Sequence, residues 1–135
     1  MQGEGSRSRV PDLIGHVLNN IDQLLAIKDK RITLQEFHSA LLDLLSSLTE
    51  LHRVLQIMLS QTSYEPLRRL YKAYLSLIGE AMYSIDEACR LIDEMQRSTV
   101  LDEDYLLKKL LPQLLRRADL PKLHSVLEVL KTIIE

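Results

Sequence analysis

Two unbroken ladders of apolar residues on adjacent segments constrain this chain more than any other feature. The first is Leu34, Phe37, Leu41, Leu44, Leu48, Leu51, Leu55 and Met58; the second is Leu67, Tyr71, Tyr74, Ile78, Ala81, Ile85, Ala88, Ile92 and Met95. Both alternate steps of three and four, the spacing that returns side chains to one face of an α-helix. A strand would need every second residue to be apolar. With Ile78 and Ile85 at heptad position a and Ala81 at d, Leu70, Leu77 and Leu91 fall at g, and Leu75, Met82 and Cys89 at e. That stripe is too wide for a two-stranded coiled coil and suits a helix buried on two sides in a bundle.

The flanking residues set helix ends. Pro11 suits the first turn of helix one, where its missing N–H costs nothing. Leu13, Ile14, Val17, Leu18, Ile21, Leu24 and Leu25 mark its apolar face up to about Ile27, before the polar run Lys28-Asp29-Lys30-Arg31. Thr33-Leu34-Gln35-Glu36 is a capping box that opens helix two, expected to run to about Ser60. Ser63, with Glu65 and Pro66 behind it, starts helix three, from Tyr64 to about Arg97, with Gly79 as its weak point. Ser98-Thr99 ends that helix or caps helix four, whose acidic start is Asp102, Glu103 and Asp104. Helix four carries Leu106, Leu107, Leu110, Leu111, Leu114 and Leu115 across Pro112, where a kink is expected. Asp119-Leu120-Pro121 starts helix five, with Leu123, Val126, Leu127, Leu130, Ile133 and Ile134 on its apolar side. The short connections predict antiparallel neighbours. The expected fold is all-α: a single-domain up-and-down bundle of four to five helices with long central helices two and three. Residues 1–9 read as a flexible tail and 10–135 as the bundle.

Composition agrees and narrows the function classes. The 135 residues are 46% hydrophobic, rich in Leu, with no Trp and one Phe, a mix that favours helix packing over sheets. A net charge of −2 lacks the basic excess of a dedicated duplex binder. The single cysteine, Cys89, excludes an intramolecular disulfide and a multi-Cys zinc site. No stretch of ~20 apolar residues occurs and the start lacks a signal-peptide core, so no membrane role and a cytoplasmic location are expected. Only Asn19 and Asn20 represent asparagine, a composition that points toward a thermophilic source.

Known catalytic arrangements are not evident. None of His16, His38, His52 and His124 follows a Glu by three residues, as a di-iron bundle requires. No metal and no cofactor are expected. Gly-rich phosphate loops and nucleophile elbows are also missing from the sequence. An Arg-x6-His spacing occurs three times, from Arg9 to His16, Arg31 to His38 and Arg117 to His124. It resembles the Arg-x4–6-His motif of the HEPN family, small helical bundles that include metal-independent ribonucleases. The resemblance implies an Arg and a His lining a dimer cleft, with His moving protons and Arg stabilising a phosphorane. Where that family has a polar residue after the Arg, this chain has Val10, Ile32 and Ala118. The segment from Leu110 to Leu115, followed by an Asp-Leu-Pro turn and another helix, resembles one HEAT-type hairpin.

Charge offers two candidate surfaces. Helix three is basic at its start (Arg68, Arg69, Lys72) and acidic further on (Glu80, Glu87, Glu94), against the helix dipole. A neighbouring helix or a second subunit supplying complementary charge explains that reversal, the second by antiparallel self-pairing about Ala81 that sets the basic half of one copy against the acidic half of the other. On helix four and the start of helix five, Lys108, Lys109, Arg116, Arg117 and Lys122 form a basic cluster able to meet phosphates. The functional expectation is a non-enzymatic protein-interaction or assembly subunit acting through helix faces, possibly as a homodimer. The alternatives are a small helical subunit of a nucleic-acid-handling complex and, behind it, a HEPN-like ribonuclease.

Overall fold

Helices α2 (Leu34–Gln61) and α3 (Glu65–Arg97) form a long antiparallel hairpin, at ~1.5 Å per residue about 40 and 50 Å long. They belong to a computed structural model that describes residues 2–26, 33–97 and 105–134, with the side chains of all these except 2–8, Leu106, Leu110 and Leu114. The Thr33 hydroxyl accepts a hydrogen bond from the Glu36 N–H at 3.1 Å, which caps α2 as the sequence predicts. From Leu34 to Leu55 every residue of the first ladder is buried, and from Tyr71 to Ile92 every residue of the second. The flanking Leu70, Leu75, Met82 and Leu91 are half-buried against them, and Leu77 is half-buried without packing on that core. Gly79 does not break α3, which is continuous from end to end.

Helix α1 (Gln2–Ala26) packs on α2. It begins ahead of Pro11, so helical backbone runs through the segment expected as a tail. Val10, 1% exposed, extends the apolar face of α1 back past the proline and ties that turn to the core. A π-helical turn (Leu106–Leu110), α4 (Leu111–Arg116) and α5 (Leu120–Ile134) follow α3. The kink expected at Pro112 takes the form of that π turn. The proline ring crowds the carbonyl four residues back and donates no N–H, and a wider turn relieves both demands. The expectations for Lys28–Arg31, Ser98-Thr99 and Asp102–Asp104 lie outside the described residues.

Helices α4 and α5 together replace a fourth helix. Arg117 meets Glu87, and the Tyr74 hydroxyl donates to the Val126 carbonyl at 2.6 Å, so the broken helix runs antiparallel to α3. α4 packs on α3 and α5 chiefly on α1. The two do not pack against each other as the HEAT-type hairpin requires, because each is held by a different neighbour. The result is an up-down-up-down four-helix bundle closed by the α1–α5 seam.

Each seam of the ring carries polar contacts among its Leu and Ile side chains. Between α1 and α2, buried Asn20 Nδ2 donates to Ser47 Oγ at 2.9 Å and to the Asp43 carbonyl at 3.3 Å. Between α2 and α3, His38 Nε2 lies 3.7 Å from Asp93 Oδ1. Between α5 and α1, His124 Nε2 lies 2.9 Å from Asp22 Oδ1, while its Nδ1 lies 2.7 Å from Glu128 Oε1 on its own helix. A leucine face alone tolerates sliding by a turn; the buried Asn20–Ser47 pair tolerates it poorly, since a slip leaves the Asn20 donor unsatisfied.

Candidate functional site

The break between α4 and α5 is the most irregular backbone among the described residues and sits against the middle of α3. After Arg116 the chain closes with Ala118 N–H on the Leu115 carbonyl (3.0 Å) and Asp119 N–H on the Arg116 carbonyl (3.2 Å). Asp119 sits in the left-handed region at φ 46°, a conformation that Asp tolerates better than most residues. Its carbonyl accepts the Leu123 N–H at 3.0 Å, and Pro121 occupies the first turn of α5, where its missing N–H costs nothing. The turn steps the chain away from α3, because α5 follows α1 instead.

That step leaves a depression of about 160 Å³. Leu77 on α3 with Ala118, Leu123 and Val126 lies at its floor, Ala118 and Leu123 being almost fully buried; Glu80, Arg117, Asp119 and Lys122 provide a rim of both signs, and the accessible lining is more polar than apolar. Behind the floor, Tyr74 holds the Val126 carbonyl, and burial pushes its phenol above the ordinary range. Along α3 from the rim stands Tyr83, 64% exposed, its hydroxyl hydrogen-bonded to Glu87 and its phenol raised by that carboxylate. Arg117 Nη1 approaches the same carboxylate at 3.9 Å.

The structure redistributes the residues singled out from sequence. Arg68 Nη1 donates to the Leu59 and Thr62 carbonyls at 2.9 and 2.8 Å, capping the C-terminal end of α2, and Arg68 and Arg69 both lie near Glu65. Of the basic residues that start α3, Arg68 therefore answers the negative end of α2. Lys72 and Glu94 are exposed and form no ion pair among the described residues. Glu80 joins Arg117 and Lys122 around the depression, with Glu87 beside Arg117, so members of both candidate surfaces meet there. Lys108, Lys109 and Arg116 are exposed on the π turn and α4.

Arg117 and His124 do not share a cleft. Arg117 turns toward α3 and Glu87, whereas His124 lies in the α1 seam between Asp22 and Glu128. Arg9 and His16 are both exposed on α1, and Arg31 lies outside the described residues. No group of three or more His, Cys, Asp or Glu among the described residues is arranged to hold a metal ion. Cys89 is buried, and desolvation with Asp86 and Asp93 nearby pushes its thiol up to about 11, away from nucleophilic use near neutrality.

Sequence reasoning missed Tyr83, Asp119 and the floor residues as a group. Tyr83 carries a legible signal: it is an aromatic off the ladder, between Ala81 and Ile85, and hence on the outward face of α3. The floor carries none, since Leu77, Leu123 and Val126 read as ordinary core positions. No protein-family model, curated protein or solved structure matches the chain. No described helix is long and apolar enough to cross a membrane.

Proposed function

We propose that this chain is a non-enzymatic protein-interaction subunit that binds through the face formed by α3 and the α4–α5 break. The observation that carries the reading is Tyr83, an aromatic ring left exposed on α3 next to a depression of mixed apolar and charged lining. Protein interfaces combine an apolar centre with a polar rim and draw much of their energy from Tyr, Trp and Arg anchors in small pockets. A space of about 160 Å³ accepts one side chain, whereas small-molecule sites start near ~300 Å³. Replacing Tyr83 by a photo-crosslinking aromatic residue tests the idea in living cells. Protein adducts from position 83, and none from the same probe at exposed Ser46 on α2, are the expected result. A lack of protein adducts at position 83 refutes it.

One observation favours a second reading, a subunit of a nucleic-acid-handling complex. Lys108, Lys109, Arg116 and Lys122 are exposed and carry no ion-pair partner among the described residues, so they are available to phosphates. Salt-dependent retention of RNA or DNA that disappears on reversing Lys108, Lys109 and Arg116 supports it. No retention at low salt refutes it.

A further inference from the structure

We propose that His124 is a pH-sensitive latch between α1 and α5. While both ring nitrogens carry protons it holds the two helices together, and when one proton leaves the seam loosens.

His124 follows buried Leu123 on α5 and so borders the apolar stripe that packs on α1. Asp22 borders the facing stripe of α1, next to buried Ile21. Glu128, four residues after His124, stands on the same side of α5. The ring is thereby set between two carboxylates, with Nε2 2.9 Å from Asp22 Oδ1 and Nδ1 2.7 Å from Glu128 Oε1. Nε2 is shut off from solvent and has no aligned hydrogen bond, so its contact with Asp22 is one of charge. A neutral imidazole carries one N–H and one lone pair. Whichever nitrogen gives up its proton here turns a lone pair on a carboxylate oxygen; only the imidazolium presents a positive edge to both. Carboxylates are in general ionised where histidines change charge, between about pH 5 and 8, so the ring is the part that switches.

Among the described residues, the charged groups that face the ring are Asp22 from α1 and Glu128 from its own helix. Lys131, on the same seam, reaches instead to Gly15, about two turns of α1 before Asp22, and stands away from the pair. The sign follows: the contact is complete in acid and is lost as pH rises. The Asp22 and Glu128 side chains are 62% and 58% exposed, so water screens the attraction and the change is a loosening, not a release of α1. α1 also keeps its hold on α2 through Asn20 and Ser47, neither of which titrates. His38 provides the contrast. Its Nε2 lies 3.7 Å from a single carboxylate, Asp93, and a neutral ring protonated on Nε2 suits that neighbour, so the α2–α3 seam needs no second proton.

Hydrogen exchange at about pH 5.5 and about pH 8.5, corrected for the intrinsic pH dependence of amide exchange, reads the latch. Protection of the α1 and α5 amides around Asp22 and His124 is expected to fall about threefold to tenfold from the lower pH to the higher. The fall is expected to vanish in His124→Gln, whose side-chain amide keeps its charge state at both pH values, and to shrink in Asp22→Asn. Imidazole nitrogen NMR of the parent chain gives an independent reading: both His124 nitrogens protonated at the lower pH, with loss of one proton tracking loss of protection. That spectrum needs no variant, so the proposal remains testable if a substituted chain does not fold. Protection that does not fall in the parent, a fall of the same size in His124→Gln, or a His124 ring already neutral at the lower pH overturns it.

Discussion

Replacing Gly79 by Ala should stabilise the bundle. Gly79 is half-buried in the interior of α3, with helical residues on either side and no positive φ. A methyl group built there meets His52 Nε2 at 3.9 Å as its nearest neighbour, an ordinary van der Waals contact that requires no movement. Glycine in a helix interior costs about 0.8–1 kcal/mol relative to alanine, mainly because its unfolded backbone has more freedom to lose. Contact between the new methyl and α2 adds a few tenths of a kcal/mol at partial burial. The expected gain is about 1 kcal/mol, or a Tm rise of about 3–5 °C for a chain of this length. Urea unfolding followed by helical ellipticity measures it, with the midpoint moving up and the slope m unchanged. Gly15→Ala is a companion, because its nearest neighbour is the mobile end of Lys131 at 3.7 Å. A loss of stability at position 79 would refute the reasoning, since it would mean that α2 and α3 depend on an approach that excludes even a methyl group.

Three other perturbations follow from the seams and the core. Arg68→Ala deletes two charge-assisted hydrogen bonds to the end of α2, and with Arg68 about one third exposed the cost should be about 1–2 kcal/mol, read by faster amide exchange in the last turn of α2 and a lower unfolding midpoint. Asn20→Ala should cost about 1–2 kcal/mol by removing its hydrogen bonds to Ser47 Oγ and the Asp43 carbonyl, while Ser47 keeps its own bond to the Leu44 carbonyl, and the Asn20→Ala/Ser47→Ala pair should cost less than the sum of the single changes; additive costs would show that the two residues act independently. The Cys89 thiol is raised from 9.0 to about 11 in the folded chain, so its contribution is complete below pH 9 and is lost as pH rises toward 11. Unfolding free energies should therefore fall by roughly 1–3 kcal/mol more across that window in the parent than in Cys89→Ala, and parallel pH profiles would refute this.

What could be read in advance was what depends on local period. Leu41, Leu44, Leu48, Leu51 and Leu55 are buried because steps of three and four leave a helix no other way to hide them, and Thr33 caps because an oxygen three residues ahead of Glu36 reaches its N–H. What could not be read depends on which helix lies next door. The cations opening α3 contradict its own dipole, and the purpose of one becomes visible only when Arg68 is found on the carbonyls of Leu59 and Thr62. Pro112 signalled a distortion but not its form as a π turn. The depression joins Leu77 to Leu123 and Val126 across a seam, and no spacing rule links such distant positions.

The closing seam has a consequence for the order in which the molecule assembles. α2 and α3 meet through a short connection and can zip together as soon as both are synthesised, a contact of low sequence separation that costs little chain entropy. The α1–α5 seam, with Asp22 against His124 and Gly15 beside Lys131, joins segments from opposite ends of the bundle and can form only after α5 has left the ribosome. Until then Leu123, Leu127 and Leu130 have not been made, and the flank of α1 that will receive them stays wet. Pulse-labelled hydrogen exchange during refolding should accordingly protect α2 and α3 first and α1 and α5 together, as one late unit.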